Sequence, residues 1–493
     1  MSFLFGKKKQ TRNAPQNENA AGTGQGQVPG EGPVPSEAFG KAPEPAARNV
    51  LRTDEEPADF SSPLLAAQGS PGGSPVNAPV DAGQAAQAAA ASAVSGDEGR
   101  GEQDAARPQA QDAAQAGRPG RGILDADADE SGSIDWWLFV LMVMLLGIGL
   151  VMVLSASGIV AESSYGDKYY YFKKQLVFAG IGGVGLCCAA LLPRRLLYRM
   201  HYPLLFVVLF LLLLTLSPLS PSINGAHRWI RVGPVNIQPM EFVKIALALY
   251  LAYYMSEKQE LVKTFTRGVL PPFGVTLLFC CLLLLQPDFG SAVVLALILF
   301  FMCLAGGTRF LYLILAFIMT IVLGVLLAIF EPYRMRRLMA FLDPFEDAHN
   351  TGYQLVQSLL AIGSGSFFGV GMGASRQKMF YLPEAHNDFI MAVLAEEMGF
   401  VGVSVVMLLF LFFFYRCYLI IRGQDDLRAR YTAFALTCII CLGFLLNLAV
   451  VMGVAPPKGV PMPFLSYGGS NLVATMISVG LLLNFSRTAK MPH

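Results

Sequence analysis

The 493 residues would suffice for about two to four soluble domains, but 54% apolar residues, 14% charged residues and a mean hydropathy of +0.49 exclude that reading. This is the composition of a polytopic membrane protein. The net charge of +1 hides an asymmetry: residues 1–130 carry 11 Lys and Arg against 18 Asp and Glu, the remainder 25 against 17, so an acidic tail precedes a basic membrane body.

Residues 1–130 are built largely from Ala, Gly, Pro, Gln and Ser. Such a segment buries too little apolar surface to offset its ordering entropy, so a disordered cytoplasmic tail is expected. No apolar run follows Lys7, Lys8 and Lys9, and nothing resembles a cleavable signal peptide. The acidic run Asp125 to Asp135 has half the spacing of a calcium loop counted from Asp127, but its twelfth position is Leu138 rather than a bidentate Glu. It reads as an acidic linker.

From there, ten runs have the length and apolarity of a membrane span, which takes about 17 to 25 residues: 136–156, 175–192, 198–216, 237–255, 269–286, 290–306, 309–330, 387–421, 430–452 and 467–486. The eighth is long enough for a tilted helix preceded by a segment holding Glu396 and Glu397. An even count returns the C-terminus to the side of the tail. With the tail inside, inner loops carry 13 Lys and Arg and outer loops 11, five of the latter in one long connection. Discounting that connection places both termini in the cytoplasm. The alternative explanation for cations kept outside is that they bind something anionic. All eight cysteines lie in or beside the spans without metal-ligand spacing and read as small packing residues.

The long connection, 331–386, carries most of the chemistry. It holds Arg334, Arg336, Arg337, then Asp343-Pro344-Phe345-Glu346-Asp347, then Gly352-Tyr353-Gln354, a glycine series from Gly363 to Gly373, Arg376, Lys378, and Leu382-Pro383-Glu384-Ala385-His386 leading to Asn387-Asp388. A polar, glycine-rich segment of this length between spans is a functional cap or a re-entrant structure rather than a turn. The Gly369 to Gly373 pattern follows no strand and is no dinucleotide loop; it reads as close packing or re-entrant turns.

These residues resemble the FtsW/RodA/SpoVE (SEDS) family of cell-wall glycosyltransferases. The resemblance is carried by five ordered blocks: Asn224-Gly225 through Trp229, Gln238-Pro239 and Glu241 to Lys244; Gln286-Pro287-Asp288 with Gly290; Asp343-Pro344 through Gln354; Leu382 to Asp388; and Pro457-Lys458-Gly459 through Ser470. It covers 134–488. The form Pro383-Glu384-Ala385-His386 and the pair Lys458-Gly459 are more like the division branch, FtsW, than the elongation branch, RodA. Asn387 and Asn471 depart from the family pattern, where Thr and Ser are usual.

The resemblance implies an all-α fold of ten transmembrane helices with an extracytoplasmic loop between helices seven and eight. It also implies polymerisation of lipid II, with a β-1,4 bond formed and undecaprenyl diphosphate released, in the bacterial inner membrane at the division septum. Asp347 is the carried-over catalytic carboxylate, a general base for the acceptor hydroxyl. Arg334, Arg336, Arg337, Arg376, Lys378 and Lys458 are candidates to neutralise the departing diphosphate, and a divalent cation such as Mg or Mn is the alternative. Trp229, beside Arg228 and Arg231, is a candidate for the lipid path. Glu384, His386 and Asp388 either touch substrate or hydrogen-bond the start of the eighth span. Arg336 and Arg337 have headgroup anchoring as their competing reading. The implied partners are a class B penicillin-binding protein and other divisome proteins; nothing points to nucleic acid. Competing functions are a lipid II flippase, an elongation-type polymerase, and a scaffold that only recruits a transpeptidase.

Charges within spans are costly and need partners. Glu241 and Lys244, three apart, share a helix face and can neutralise each other. Glu396 and Glu397 have no nearby cation in sequence, and Asp288 needs a donor. A buried polar network is the leading reading for all of these.

Overall fold

A computed structural model describes residues 132–490 apart from 218–219, 222–226, 234, 330–331, 349, 351, 379–381 and 458. The expected disordered tail lies outside the described residues. The helices in chain order are α1 (Trp136–Tyr165), α2 (Tyr170–Ala190), the short α3 (Arg194–Arg199), α4 (His201–Thr215), α5 (Pro239–Glu257), α6 (Leu270–Leu285) and α7 (Phe289–Ala305). They continue with α8 (Phe310–Ile329), α9 (Pro332–Leu342), α10 (Tyr353–Gly365), α11 (Ile390–Arg422), α12 (Leu427–Val451) and α13 (Gly469–Ser486). Before α5 lies the only sheet among the described residues, a hairpin of β1 (Ile230–Val232) and β2 (Val235–Ile237), with Ile230 opposite Ile237.

Each of the ten expected spans coincides with a helix. Among the described residues, six helical stretches are long and apolar enough to cross a membrane: α1, α2, Phe265–Leu285, α11, α12 and α13. Thus the chain is an all-α polytopic membrane protein. Of the remaining apolar helices, α4 and α7 are shorter, and α5 carries Glu241, Lys244 and Glu257. α1 runs past the expected end at 156 to Tyr165, making 30 residues, about 45 Å at 1.5 Å each. The connection 331–386 is not a plain loop either, since it contains α9 and α10.

Two helices form the centre. In α5, Val243, Ala246, Leu247, Ala248, Leu251, Ala252 and Met255 are fully enclosed, which only a helix apolar on most faces allows. α13 packs on α2 through small residues: a Cβ on Gly480 would lie 2.4 Å from the Leu186 carbonyl oxygen. Small residues let helix backbones approach where lipid supplies no hydrophobic driving force.

Caps set the ends. Asp135 accepts from the Leu138 N–H (3.1 Å) and opens α1; its carboxylate also pairs with Arg416 (2.8 Å), and its own N–H donates to Ser486 Oγ (3.0 Å). One residue thereby ties the start of α1 to the ends of α11 and α13. Asp426 caps α12 and Asp288 caps α7 in the same way.

α11 is broken within its length. Gly399 has φ 62° and ψ −162°, a backbone region open essentially to glycine. The break frees two carbonyls and two N–H groups, and the turn after α10 takes all four: Val370 and Gly371 donate to the Glu396 and Glu397 carbonyls (2.9 and 3.1 Å), while Phe400 and Val401 donate to Ser366 and Phe367 (3.0 and 3.1 Å). The backbones meet so closely that a Cβ on Gly365 would lie 1.9 Å from the Ala395 carbonyl oxygen, and one on Gly369 would lie 2.2 Å from that of Glu397. Of the expected alternatives, close packing describes Gly369, whereas Gly371 and Gly373, at φ 106° and 79° with nothing within 4 Å of an added Cβ, serve the turn.

Candidate active site

Asp347 lies in the turn between α9 and α10. Asp343 ends α9 and accepts from the N–H groups of Phe345 and Glu346 (3.2 Å each), the turn-initiating role expected of a residue before proline. The Asp347 carbonyl then accepts from Gly352 N–H at 3.1 Å. Gly352 admits this closure because a Cβ there would sit 2.3 Å from the Pro344 carbonyl oxygen. The Asp347 carboxylate is half-buried, and Asn350 Nδ2 donates to its Oδ1 at 2.8 Å.

A cavity of about 390 Å³ opens against this turn, lined by Met335, Arg336, Met339, Ala340, Asp343, Glu346 and Asp347. Three carboxylates, one guanidinium and apolar side chains therefore face one space, the mix of apolar walls and a few polar groups usual for a small-molecule site. Arg336 is exposed at its rim, while Met339, Leu342 and Phe345 are exposed apolar groups on the same amphipathic segment. Arg334 and Arg337 belong to α9 as well.

The remaining candidates separate. Arg376 is exposed, with its backbone N–H held by Glu396 Oε1 at 2.9 Å. Lys378 does not take the position expected of a diphosphate ligand: its side chain is 4% exposed and its ammonium pairs with Glu397 at 2.7 Å and Ser155 Oγ at 3.1 Å. This buried pair is the partner that Glu397 lacked in sequence. Glu396 is satisfied by the Ser375 hydroxyl and by the N–H groups of Arg376 and Gln377. Glu241 and Lys244 pair at 2.6 Å, as their spacing implied, although the contact is poorly aligned as a hydrogen bond. Asp288 finds its donors in Ser291, with Arg228 at 3.9 Å.

A second polar cluster surrounds the start of α11. His386 is buried, its ring 4.6 Å from Tyr171, and its carbonyl accepts from Tyr467 N–H. Burial pushes the imidazole down to about 4, so it is neutral at ordinary pH. Asp388 goes the other way, up to about 7, because burial and then the Glu384 carboxylate oppose its charge. Its Oδ2 lies 3.3 Å from where a Cβ on Gly459 would be, and its carbonyl accepts from Asn447 Nδ2 at 2.8 Å. Glu384 is exposed and accepts from Asn387. Trp229 is half-buried beside β1, its carbonyl bound by Ser220. Lys458 lies outside the described residues. Among the described residues no group of three or more His, Cys, Asp or Glu is placed to hold a metal ion.

The profile of the Cell cycle protein family, FtsW/RodA/SpoVE, matches residues 136–491. The chain belongs to this family. It is 41% identical over 358 residues to the probable peptidoglycan glycosyltransferase FtsW of Trichlorobacter lovleyi, covering 72% of this chain and 94% of that protein. It is 38% identical over 359 residues to the stage V sporulation protein E of Bacillus subtilis, covering 73% and 98%. Solved structures agree: a chain of a peptidoglycan synthase complex, in a study of the coordination of polymerization and crosslinking, has TM-score 0.60 and 29% identity over 72% of this chain and 98% of its own. The rod shape determining protein RodA of Thermus thermophilus has TM-score 0.54 and 28% identity, covering 73% and 98%. Within the family the chain is most like FtsW, as the Pro383 to His386 form suggested.

Sequence reading passed over two residues that the geometry makes prominent. Asn350, three beyond Asp347, carried a usable signal in that spacing. Ser155 carried none, since its partners Lys378 and Glu397 are more than 200 residues away.

Proposed function

We propose that this membrane protein is a peptidoglycan glycosyltransferase that polymerises lipid II during septal wall synthesis, with ten membrane crossings, both termini cytoplasmic and 331–386 outside. The observation that carries this reading is the half-buried Asp347 carboxylate, held by Asn350 on a cavity that Arg336 shares. Asp347 takes the proton from the acceptor sugar hydroxyl as that oxygen attacks the anomeric carbon of the lipid-linked donor. The C–O bond to diphosphate breaks as the β-1,4 bond forms, and the lipid diphosphate leaves with the electron pair. A positioned base is worth about 10²- to 10⁴-fold in rate, and preorganised cations at the leaving group add to it. Arg336 and Arg376 are the exposed cations for that task, with Arg334, Arg337 and Lys458 as further candidates; Lys378 is committed to Glu397.

The likeness to a chain of a peptidoglycan synthase complex supports a transpeptidase partner, a class B penicillin-binding protein, within a division assembly. The test is polymerisation of purified lipid II by the reconstituted full-length chain. Asp347→Asn is expected to insert and fold normally and to make no glycan. Continued polymerisation would overturn the assignment, and fast lipid II flipping without polymer would favour a transporter.

A further inference from the structure

We infer that Glu396, Glu397 and Lys378 are positioning residues that fix Arg376 for the diphosphate of the lipid substrate, an inference that rests on the reaction proposed above.

Glu396 and Glu397 end the first half of α11, just before the break at Gly399, and each is used twice. Their carbonyls hold Val370 and Gly371, while their carboxylates hold the chain again from Ser375 to Lys378. The nine residues 370–378 are thus tied down at both ends by the same two glutamates. Ser155 of α1 closes the arrangement, its hydroxyl 2.6 and 2.8 Å from the two Glu397 oxygens.

Arg376 is the residue this anchoring presents. Its N–H is bound by Glu396 Oε1 (2.9 Å), the neighbouring Ser375 hydroxyl is bound by Glu396 Oε2, and Lys378 Nζ two residues on is bound by Glu397 (2.7 Å). Its own side chain is exposed, and no described carboxylate pairs with it. A buried ion pair adds little net stability over an apolar replacement of equal volume, so stability alone does not explain burying two carboxylates and a lysine here. A fixed geometry does, because a guanidinium binds phosphate oxygens bidentately only when its fork is aimed. Holding the backbone beforehand also removes ordering cost from substrate binding.

The test uses the full-length chain in proteoliposomes with purified lipid II, following kcat and KM together with thermal unfolding. Arg376→Ala is expected to raise KM about tenfold, the worth of one charge-assisted bond. The neutral pair Lys378→Met with Glu397→Gln, which leaves no unpaired buried charge, is expected to unfold within a few degrees of wild type and to raise KM to a similar extent. Combining it with Arg376→Ala is expected to raise KM no further, because the pair acts through Arg376. If the double variant fails to fold, Glu396→Gln takes its place in the same cycle. Additive losses approaching a hundredfold, an unchanged KM in the neutral pair, or an unchanged KM in Arg376→Ala would each overturn the inference. Asp347→Asn runs alongside: polymer from that variant would refute the proposed reaction instead, so the two failures are distinguishable.

Discussion

Asn350 Nδ2 donates to Asp347 Oδ1 at 2.8 Å across a turn that Gly352 alone can close. The bond fixes which way the carboxylate faces and leaves Asp347 Oδ2 outside this contact. Asn350→Ala is therefore expected to lower kcat about tenfold with a smaller change in KM, since misplacing a base weakens proton transfer more than ground-state binding. In an Asp347→Asn background the same substitution is expected to cost nothing more. Steady-state polymerisation of lipid II by the four proteins of that cycle checks both statements.

Arg336 shares the cavity with Asp347 from an exposed position on α9. If it meets the diphosphate, Arg336→Ala raises KM about tenfold, and Arg336→Lys recovers part of the loss by keeping charge without the bidentate fork. If it only anchors lipid headgroups, KM for lipid II stays near wild type while binding of the chain to anionic vesicles in place of neutral ones shifts. Kinetics in vesicles of both compositions separate the two.

Asp388 and His386 impose opposite slopes on stability against pH. Asp388 binds its proton more tightly folded than unfolded, up to about 7 from 3.8, so its contribution is full below about 3.8, declines as pH rises and is gone above about 7. His386, held down to about 4, stays neutral while the unfolded imidazole charges below about 6.5, so its effect favours the folded state as pH rises toward 6.5. Only the Asp388 effect persists between about 6.5 and 7. Asp388→Asn is expected to match wild type only below about pH 3.8 and to unfold at a progressively higher temperature than wild type as pH rises from there to 8. Thermal unfolding of the purified chain across that range measures the difference.

The helices were legible in the sequence because a bilayer leaves few alternatives: an apolar run of sufficient length satisfies its backbone internally or does not cross at all. The Glu241 and Lys244 pair was legible for a similar reason, its partners lying one helical turn apart. The interior of 331–386 was not. α10, at 13 residues, is too short to register as a span, and α9 showed itself only as a run of cations after the seventh span. Lys378 was misjudged because its partners come from two other helices, and nothing local distinguishes a buried lysine from one that faces substrate.

The break in α11 gives the sharpest stability prediction. At Gly399 a side chain meets two penalties together: a backbone region that costs about 1–3 kcal/mol for any other residue, and a Cβ placed 2.3 Å from Gly369 N and 2.7 Å from the Phe367 carbonyl oxygen. Neither neighbour can give way without breaking the bonds exchanged between 366–371 and 396–401, since the obstructing atoms are backbone. Gly399→Ala is expected to lose at least about 3 kcal/mol, and Gly365→Ala a comparable amount, because its Cβ would overlap the Ala395 carbonyl. Gly363→Ala, two residues earlier on α10 with nothing within 4 Å of the added methyl, is expected to be neutral or slightly stabilising through its better helix propensity. Thermal unfolding of the three variants in detergent orders them. Equal melting temperatures for Gly399→Ala and Gly363→Ala would mean that α11 can run unbroken, and that the segment carrying Arg376 is not held by the exchange at all.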